Sequence, residues 1–110
     1  MKLWIDAIRP APEGYTWIKT VREAIAAITV SEGLEGEAKY TNSELQGQFK
    51  IELIDMDHDS GRFWPPGYIY LLYWLEHTGR SYPIRIHSMN PVGVANMRTI
   101  IQRNNWKEVL

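Results

Sequence analysis

An apolar segment that ends in a cluster of ionisable side chains constrains this chain more than any other feature. The segment Ile51–Met56 leads directly into Asp57–Asp59, which contributes two carboxylates and an imidazole. Two further apolar segments, Leu3–Ile5 and Ile84–Ile86, also run straight into polar residues. In open α/β sheets a ligand binds outside the carboxyl ends of the strands. We therefore expect the three segments to be strands whose ends meet at one site.

The other elements alternate between strands and helices. Two prolines and a glycine in residues 10–14 end the first strand. Thr20 and Glu23 match a capping box, and Asn90 followed by Pro91 is typical of a helix start. The sequence predicts strands over Met1–Ile5, Tyr15–Lys19, Phe49–Met56 and Pro83–His87, and helices from Val21 to about Val30, over Tyr68–His77 and from Pro91 onward.

Two segments are less regular. Ser31–Gln48 contains three glycines and scattered charges, which predicts a long connector with a hairpin or a short edge strand. Tyr68–His77 is apolar on nearly all sides, so we expect this helix between layers or at an interface in a homo-oligomer. Strands that alternate with helices predict a parallel sheet with right-handed crossovers, within a single domain of residues 1–110.

Charge and cysteine usage exclude several function classes. Twelve basic and thirteen acidic residues give a formal net charge of −1, whereas general nucleic-acid binders usually carry a basic excess. Without cysteine the chain forms no disulfide, thiolate metal site or thiol nucleophile. Its apolar runs are shorter than the ~20 residues of a membrane span, and we expect no signal peptide. These features predict a cytoplasmic protein with no membrane and no general DNA partner.

Three motifs follow one another along the chain. They are M-K-L-W-I-D-A-I-R-P-A-P-E-G-Y at residues 1–15, D-M-D-H-D-S-G at residues 55–61 and I-H-S-M-N-P-V-G at residues 86–93. Together they resemble the motifs of the cyclic-phosphate processing receiver-like domains, and the resemblance spans Met1 to about Arg103. It implies a shortened phospho-receiver fold. This fold is a three-layer, flavodoxin-like arrangement of about four parallel strands in the order 2-1-3-4, with helices on both faces.

The resemblance also matches individual residues of this chain to functional positions of a receiver. Asp6, Asp57 and Ser88 match the receiver's acidic, phospho-accepting and hydroxyl positions, and the receiver's last strand with its lysine is absent. Two residues depart from the family pattern. Ala7 replaces the second acidic residue of an Asp-Asp pair, and Ser60 replaces an apolar residue.

Three carboxylates are the candidate metal ligands. Asp6, Asp57 and Asp59 would hold Mg²⁺ or Mn²⁺, because carboxylates that converge need a cation to offset their repulsion. The alternative is a capping or loop role for each residue. Alternation along the strand would place Asp55 on the same side as Asp57, but the family motif does not require Asp55 and we leave it out of the predicted site.

Asp57, His58 and His87 are the candidate catalytic residues. Opening a cyclic phosphate requires activation of water and protonation of a leaving oxygen, and histidine suits both steps near neutral pH. Structural roles for both histidines are the alternative. The two-histidine phosphoesterases need two His-x-Ser/Thr motifs. The segment from His58 to Ser60 fits that pattern, but the segment from His87 to Met89 does not.

Four residues are candidates for substrate binding. Ser88, Asn90 and the first amides of the last helix would bind phosphate, although Asn90 also serves as a helix cap. Arg9 would pair with phosphate in bidentate fashion, or with a surface carboxylate. Trp64 would stack on a nucleobase, or anchor its loop to the core.

The sequence thus predicts a phosphoesterase-like domain that binds, and hydrolyses, a cyclic or terminal phosphate of a nucleotide or RNA end. The activity comes from the resemblance, and the convergence of polar groups comes from the residues. A nucleotide-binding or sequestering module without turnover is one alternative, and a pseudo-receiver interaction domain is the other.

Overall fold

The computed structural model describes residues 1–41 and 47–110, with side chains for all of these except residues 39–41. Four strands and three helices account for most of these residues. The strands are β1 (Lys2–Ile5), β2 (Tyr15–Ile18), β3 (Leu53–Met56) and β4 (Ile84–Ile86). The helices are α1 (Val21–Thr41), α2 (Ile69–His77) and α3 (Pro91–Arg103), with a short 3-10 turn at Gly61–Phe63.

The four strands form one parallel sheet in the order β2-β1-β3-β4, which confirms the predicted order and direction. Leu3 lies opposite Thr16 on one side and Ile54 on the other, and Ile54 lies opposite Ile84. Beyond β4, the C-terminal segment adds a single parallel bridge between Ile84 and Glu108. In the described part of the chain this edge of the sheet is therefore extended by one bridge and not by a fifth strand.

All three helices bury their apolar residues on the same face of the sheet. One core cluster joins Leu3, Ile5, Ile54, Met56 and Ile84 from the strands to buried residues of α1, α2 and α3. The crossovers from β2 to β3 and from β3 to β4 run in the same direction across the sheet, so right-handed connections place both helices on one side. The prediction of helices on both faces is therefore corrected to one helical layer packed on one sheet. The connection that runs the other way, from β1 to β2, is a loop without a helix.

The second face of the sheet carries larger and more polar residues. In the strand register Trp4 lies between Trp17 and Asp55, and Asp55 lies opposite Arg85. Asp55 is fully buried, the two tryptophans are half-buried and Arg85 is exposed. Polar contacts between strands begin on this face, where Asp55 meets Arg85 and His87.

Helix α1 is longer than predicted. Thr20 caps it through a 3.0 Å hydrogen bond from the Glu23 amide to the Thr20 hydroxyl, as expected. The helix then continues through its two glycines to Thr41, and its second half contacts the body of the domain. Ser31 is buried and donates to the Phe49 carbonyl oxygen. The predicted connector over residues 31–48 is therefore helical up to residue 41, and its residues 42–46 lie outside the described part.

Helix α3 begins as predicted. The Asn90 side chain accepts a hydrogen bond of 3.0 Å from the Gly93 amide, and Pro91 occupies the first turn. In residues 1–41 and 47–110 no helix has the length and apolar character that crossing a bilayer requires.

Candidate functional site

Three strand ends meet at the carboxyl edge of the sheet. Asp6 follows β1, Asp57 follows β3 and His87 follows β4. Backbone hydrogen bonds hold each of them one residue beyond its strand: Asp6 to Ile18 (3.1 Å), Asp57 to Ile5 (2.9 Å) and His87 to Met56 (2.9 Å). The side chains at this edge are thus positioned by the sheet itself.

Arg9 bridges the two carboxylates. Its Nε lies 2.8 Å from Oδ2 of Asp6, and its Nη2 lies 3.0 Å from Oδ2 of Asp57 and 3.3 Å from the carbonyl oxygen of His87. The loop turns back because Oδ1 of Asp6 accepts from the amides of Ile8 (2.9 Å) and Arg9 (2.8 Å), which is the geometry of an Asx turn. The arginine therefore occupies the space between the carboxylates.

The surroundings of Asp6 and Arg9 favour the charged forms of both side chains. Burial alone would raise the pKa of Asp6, but hydrogen bonds from the two loop amides and from His87, with the charge of Arg9, hold it below its usual value. Partial burial lowers the pKa of Arg9, and the opposing charges of Asp6 and Asp57 raise it overall. The ion pair is therefore fully formed at neutral pH.

His87 lies between two carboxylates. Its Nδ1 is 2.6 Å from Oδ1 of Asp55, and its Nε2 is 3.1 Å from Oδ2 of Asp6. The ring stacks on Trp4 with centroids 3.7 Å apart and an interplanar angle of 4°, and its side chain is only 7% exposed. A doubly protonated ring donates to both carboxylates, whereas a neutral ring satisfies only one. Both nitrogens of His87 are therefore engaged within the protein.

Asp55 and Trp4 complete this group, although neither was among the predicted site residues. Asp55 also accepts from Nη1 of Arg85 at 3.1 Å. Strand alternation had placed Asp55 on the side of Asp57, and that signal was sufficient to find it. No sequence signal pointed to Trp4, because its contact with His87 joins residues far apart along the chain. We refer to Asp6, Asp55 and Asp57 with Arg9 and His87 as the acid cluster.

A second group contains His58, Asp59 and Asn90. The His58 amide donates to Oδ1 of Asp57 at 2.7 Å, which links this group to the acid cluster. Nδ1 of His58 lies 3.0 Å from Oδ1 of Asp59, and Nδ2 of Asn90 donates to the same oxygen at 3.3 Å. The hydrogen bond from His58 is the main reason that the pKa of Asp59 lies below its usual value, with a further contribution from Asn90 against the effect of burial. With a proton on Nδ1, His58 presents a lone pair on Nε2.

The His58 ring lies on the first turn of α3. A Cβ atom on residue 93 would lie 2.3 Å from Cγ of His58, so only glycine leaves room for the ring there. On its other side His58 borders a cavity of about 330 Å³, which we call the His58 cavity. Trp64 stands at its rim with 70% of its surface exposed. Ser60 also borders it, and the Ser60 hydroxyl is buried without a hydrogen-bond partner in the described part of the chain.

The predicted substrate-binding residues do not converge on one point. Arg9 lies in the acid cluster and Trp64 at the His58 cavity. Ser88 and Asn90 lie at the start of α3, where the Ser88 hydroxyl oxygen accepts from the Asn90 amide at 3.2 Å. Binding roles for all four residues stay predictions.

As the described side chains are arranged, the predicted donors do not form a site for a divalent cation. Both oxygens of Asp6 are used, by two amides, by Arg9 and by His87. Oδ1 of Asp59 is engaged by His58 and Asn90, and the Ala7 side chain has no oxygen. In the ranges 1–41 and 47–110 no three acidic or histidine side chains are arranged to hold a metal ion. A hard cation needs several free oxygen ligands, and here Arg9 takes their place.

The comparisons with known proteins give one family. Residues 1–103 of the 110-residue chain match the family described as the cyclic-phosphate processing receiver domain. No curated protein and no solved structure gives a significant match.

Proposed function

The chain belongs to the family of cyclic-phosphate processing receiver domains, and on this premise we propose that it binds and hydrolyses a cyclic phosphate of a nucleotide or RNA end. The observation that carries the proposal is the position of His58. Its Nδ1 is held by Asp59, while its Nε2 has no partner among the described residues and its side chain is 25% exposed beside the His58 cavity.

His58 is suited to move protons in this reaction. In the proposed step, Nε2 takes a proton from water, and the water oxygen forms a bond to phosphorus. The bond from phosphorus to one ring ester oxygen breaks, and the imidazolium returns its proton to that oxygen. Asp59 fixes the tautomer and stabilises the imidazolium, as carboxylates do beside catalytic histidines. We assign His87 the positioning of Asp6 and Asp55, because both of its ring nitrogens face carboxylates.

Arg9 is suited to bind the phosphate oxygens. Its side chain is 47% exposed, and its Nη1 donates to no acceptor within the described residues. Asp6 and Asp57 hold the guanidinium in a fixed orientation, so little side-chain entropy is lost when Nη1 meets an anion. The carboxylates therefore act through Arg9, and no step of this proposal uses a metal ion.

A binding module without turnover is the second candidate. The observation that favours it is the closed set of hydrogen bonds around Asp6 and His87, which leaves neither side chain free for chemistry. In that case the cyclic phosphate would bind at Arg9 and remain intact.

Incubation with 2′,3′-cyclic nucleotides tests the proposal. The parent, His58→Gln and His77→Gln are compared, each with EDTA and with Mn²⁺; His77 is an exposed histidine at the end of α2 and serves as the matched control. We expect turnover by the parent and by His77→Gln in EDTA, and a loss of roughly 10²–10⁴-fold in His58→Gln. Binding without turnover by calorimetry would favour the second candidate. Activity that appears only with Mn²⁺ would contradict the metal-free mechanism.

A further inference from the structure

A second cavity, of about 470 Å³, lies beside the acid cluster. Its lining residues are Ala7, Ile8, Trp17, Lys19 and Arg62, and we call it the basic pocket. It adjoins the site because Nε1 of Trp17 donates to the carbonyl oxygen of Asp6 at 2.8 Å. A Cβ atom on residue 61 would lie 3.5 Å from Cβ of Ala7, so the turn that carries Arg62 packs directly beside Ala7.

The two cations of the basic pocket have no acidic partner. Nζ of Lys19 lies 4.4 Å from the centre of the Trp17 ring, and the Arg62 guanidinium lies 5.1 Å from that of Phe63. Neither forms an ion pair with a carboxylate in the described part of the chain. By contrast, five of the seven arginines do so: Arg9, Arg80, Arg85, Arg98 and Arg103. Within the described part of the chain, two cations without a carboxylate partner therefore line one cavity.

We propose that the basic pocket is an anion site that takes a phosphate monoester group. Lys19 and Arg62 would donate charge-assisted hydrogen bonds to the phosphate oxygens. Ala7 contributes no negative charge at the base of the pocket, and Ile8, with 79% of its surface exposed, offers an apolar rim. The volume is within the range of small-molecule sites and exceeds what one phosphate needs, so a nucleotide is accommodated.

This inference does not depend on turnover, because the basic pocket shares no residue with the His58 cavity. A free phosphate ion and the phosphate of a nucleotide present the same oxygens. Calorimetry at low salt with inorganic phosphate, with adenosine 5′-monophosphate and with adenosine separates the two sources. We expect the monophosphate to bind, adenosine to bind far more weakly and added salt to reduce the affinity.

Substitutions in the basic pocket test which of its residues bind the phosphate. Lys19→Met and Arg62→Met should each weaken phosphate binding by about tenfold or more, the effect of losing a charged hydrogen bond. Ala7→Asp should weaken it further by placing a carboxylate against both cations. Lys19→Arg, which keeps the charge, should restore binding, and Lys107→Met, an exposed lysine outside the pocket, should have no effect.

The outcomes are distinguishable from those of the proposed function. His58→Gln should lose turnover and keep anion binding, whereas the variants of the basic pocket should lose anion binding first. Because Lys19 and Arg62 have no ion pairs to lose, their variants should melt within a few degrees of the parent. Parent protein that binds neither inorganic phosphate nor the monophosphate would overturn the inference. So would Lys19→Met and Arg62→Met variants that bind as tightly as Lys107→Met.

Discussion

Replacing Arg9 by alanine tests whether its guanidinium neutralises the carboxylates at the strand ends. Asp6 and Asp57 are only 1% and 8% exposed, so removing Arg9 takes the facing positive charge away from two buried carboxyl groups. Breaking a buried ion pair costs about 3–5 kcal/mol, and an exposed one contributes about 0–1 kcal/mol. Arg9 is half-exposed while its partners are buried, so we expect Arg9→Ala to lower the free energy of unfolding by about 2 kcal/mol at pH 7.

Urea unfolding followed by tryptophan fluorescence measures this loss. Arg85→Ala is the matched control, because the Arg85 side chain is 44% exposed and that of Arg9 is 47% exposed. Arg85 pairs with one carboxylate, Asp55, which keeps its contact with His87 in the variant. We expect the control to lose about half as much, and Arg9→Ala with Asp57→Asn to recover part of the loss, because the repulsion is removed. A cost for Arg9→Ala no larger than that of Arg85→Ala would refute the bridging role.

Two further predictions concern the site and its charges. Gly93→Ala should displace the His58 ring, reduce turnover and lower the free energy of unfolding by about 1–3 kcal/mol, as overpacking does. The control Gly33→Ala has open space around it and should raise the free energy of unfolding by about 0.5–1 kcal/mol. Equal effects of the two variants in urea unfolding would argue against the contact between Gly93 and His58. Asp6 and Asp59 have lowered pKa values, so their contribution to stability is complete above the ordinary Asp pKa of 3.8 and is lost as the pH falls through their lower folded-state values. Urea midpoints that stay constant from pH 6 to pH 2 would contradict this.

The strand pattern was sufficient to predict the sheet. Each strand is short and apolar and is followed by polar residues, and the alternation with helices fixes a parallel arrangement. The direction of the crossovers also indicates that α1 and α2 share one face of the sheet. The three-layer prediction came from the resemblance and did not use that direction. The end of α1 was missed for a different reason. Gly33 and Gly36 weaken a helix locally, and the contacts that compensate, such as Ser31 with Phe49, join residues that are distant in sequence.

The contact of Arg9 with both Asp6 and Asp57 could not be predicted from the sequence pattern that predicted the sheet. The Asx turn of Asp6 brings the arginine back toward Asp57, and only the register of β1 beside β3 makes that distance short. The same register brings His87 between Asp6 and Asp55. Sequence reasoning found the charged groups, and it missed which of them neutralise one another.

The arrangement of charges at the carboxyl edge of the sheet favours anions, even though the acidic and basic side chains there are equal in number. Four carboxylates (Asp6, Asp55, Asp57 and Asp59) and four cations (Arg9, Lys19, Arg62 and Arg85) lie at this edge or in the cavity beside it. Three of the carboxylates are less than 10% exposed, whereas the side chains of Arg9 and Arg85 are almost half-exposed. A charge that faces water or a cavity acts on an approaching ligand more strongly than one screened by its own ion pair. The outer surface of the site is therefore more positive than its composition indicates, which supports the proposal of a phosphate ligand.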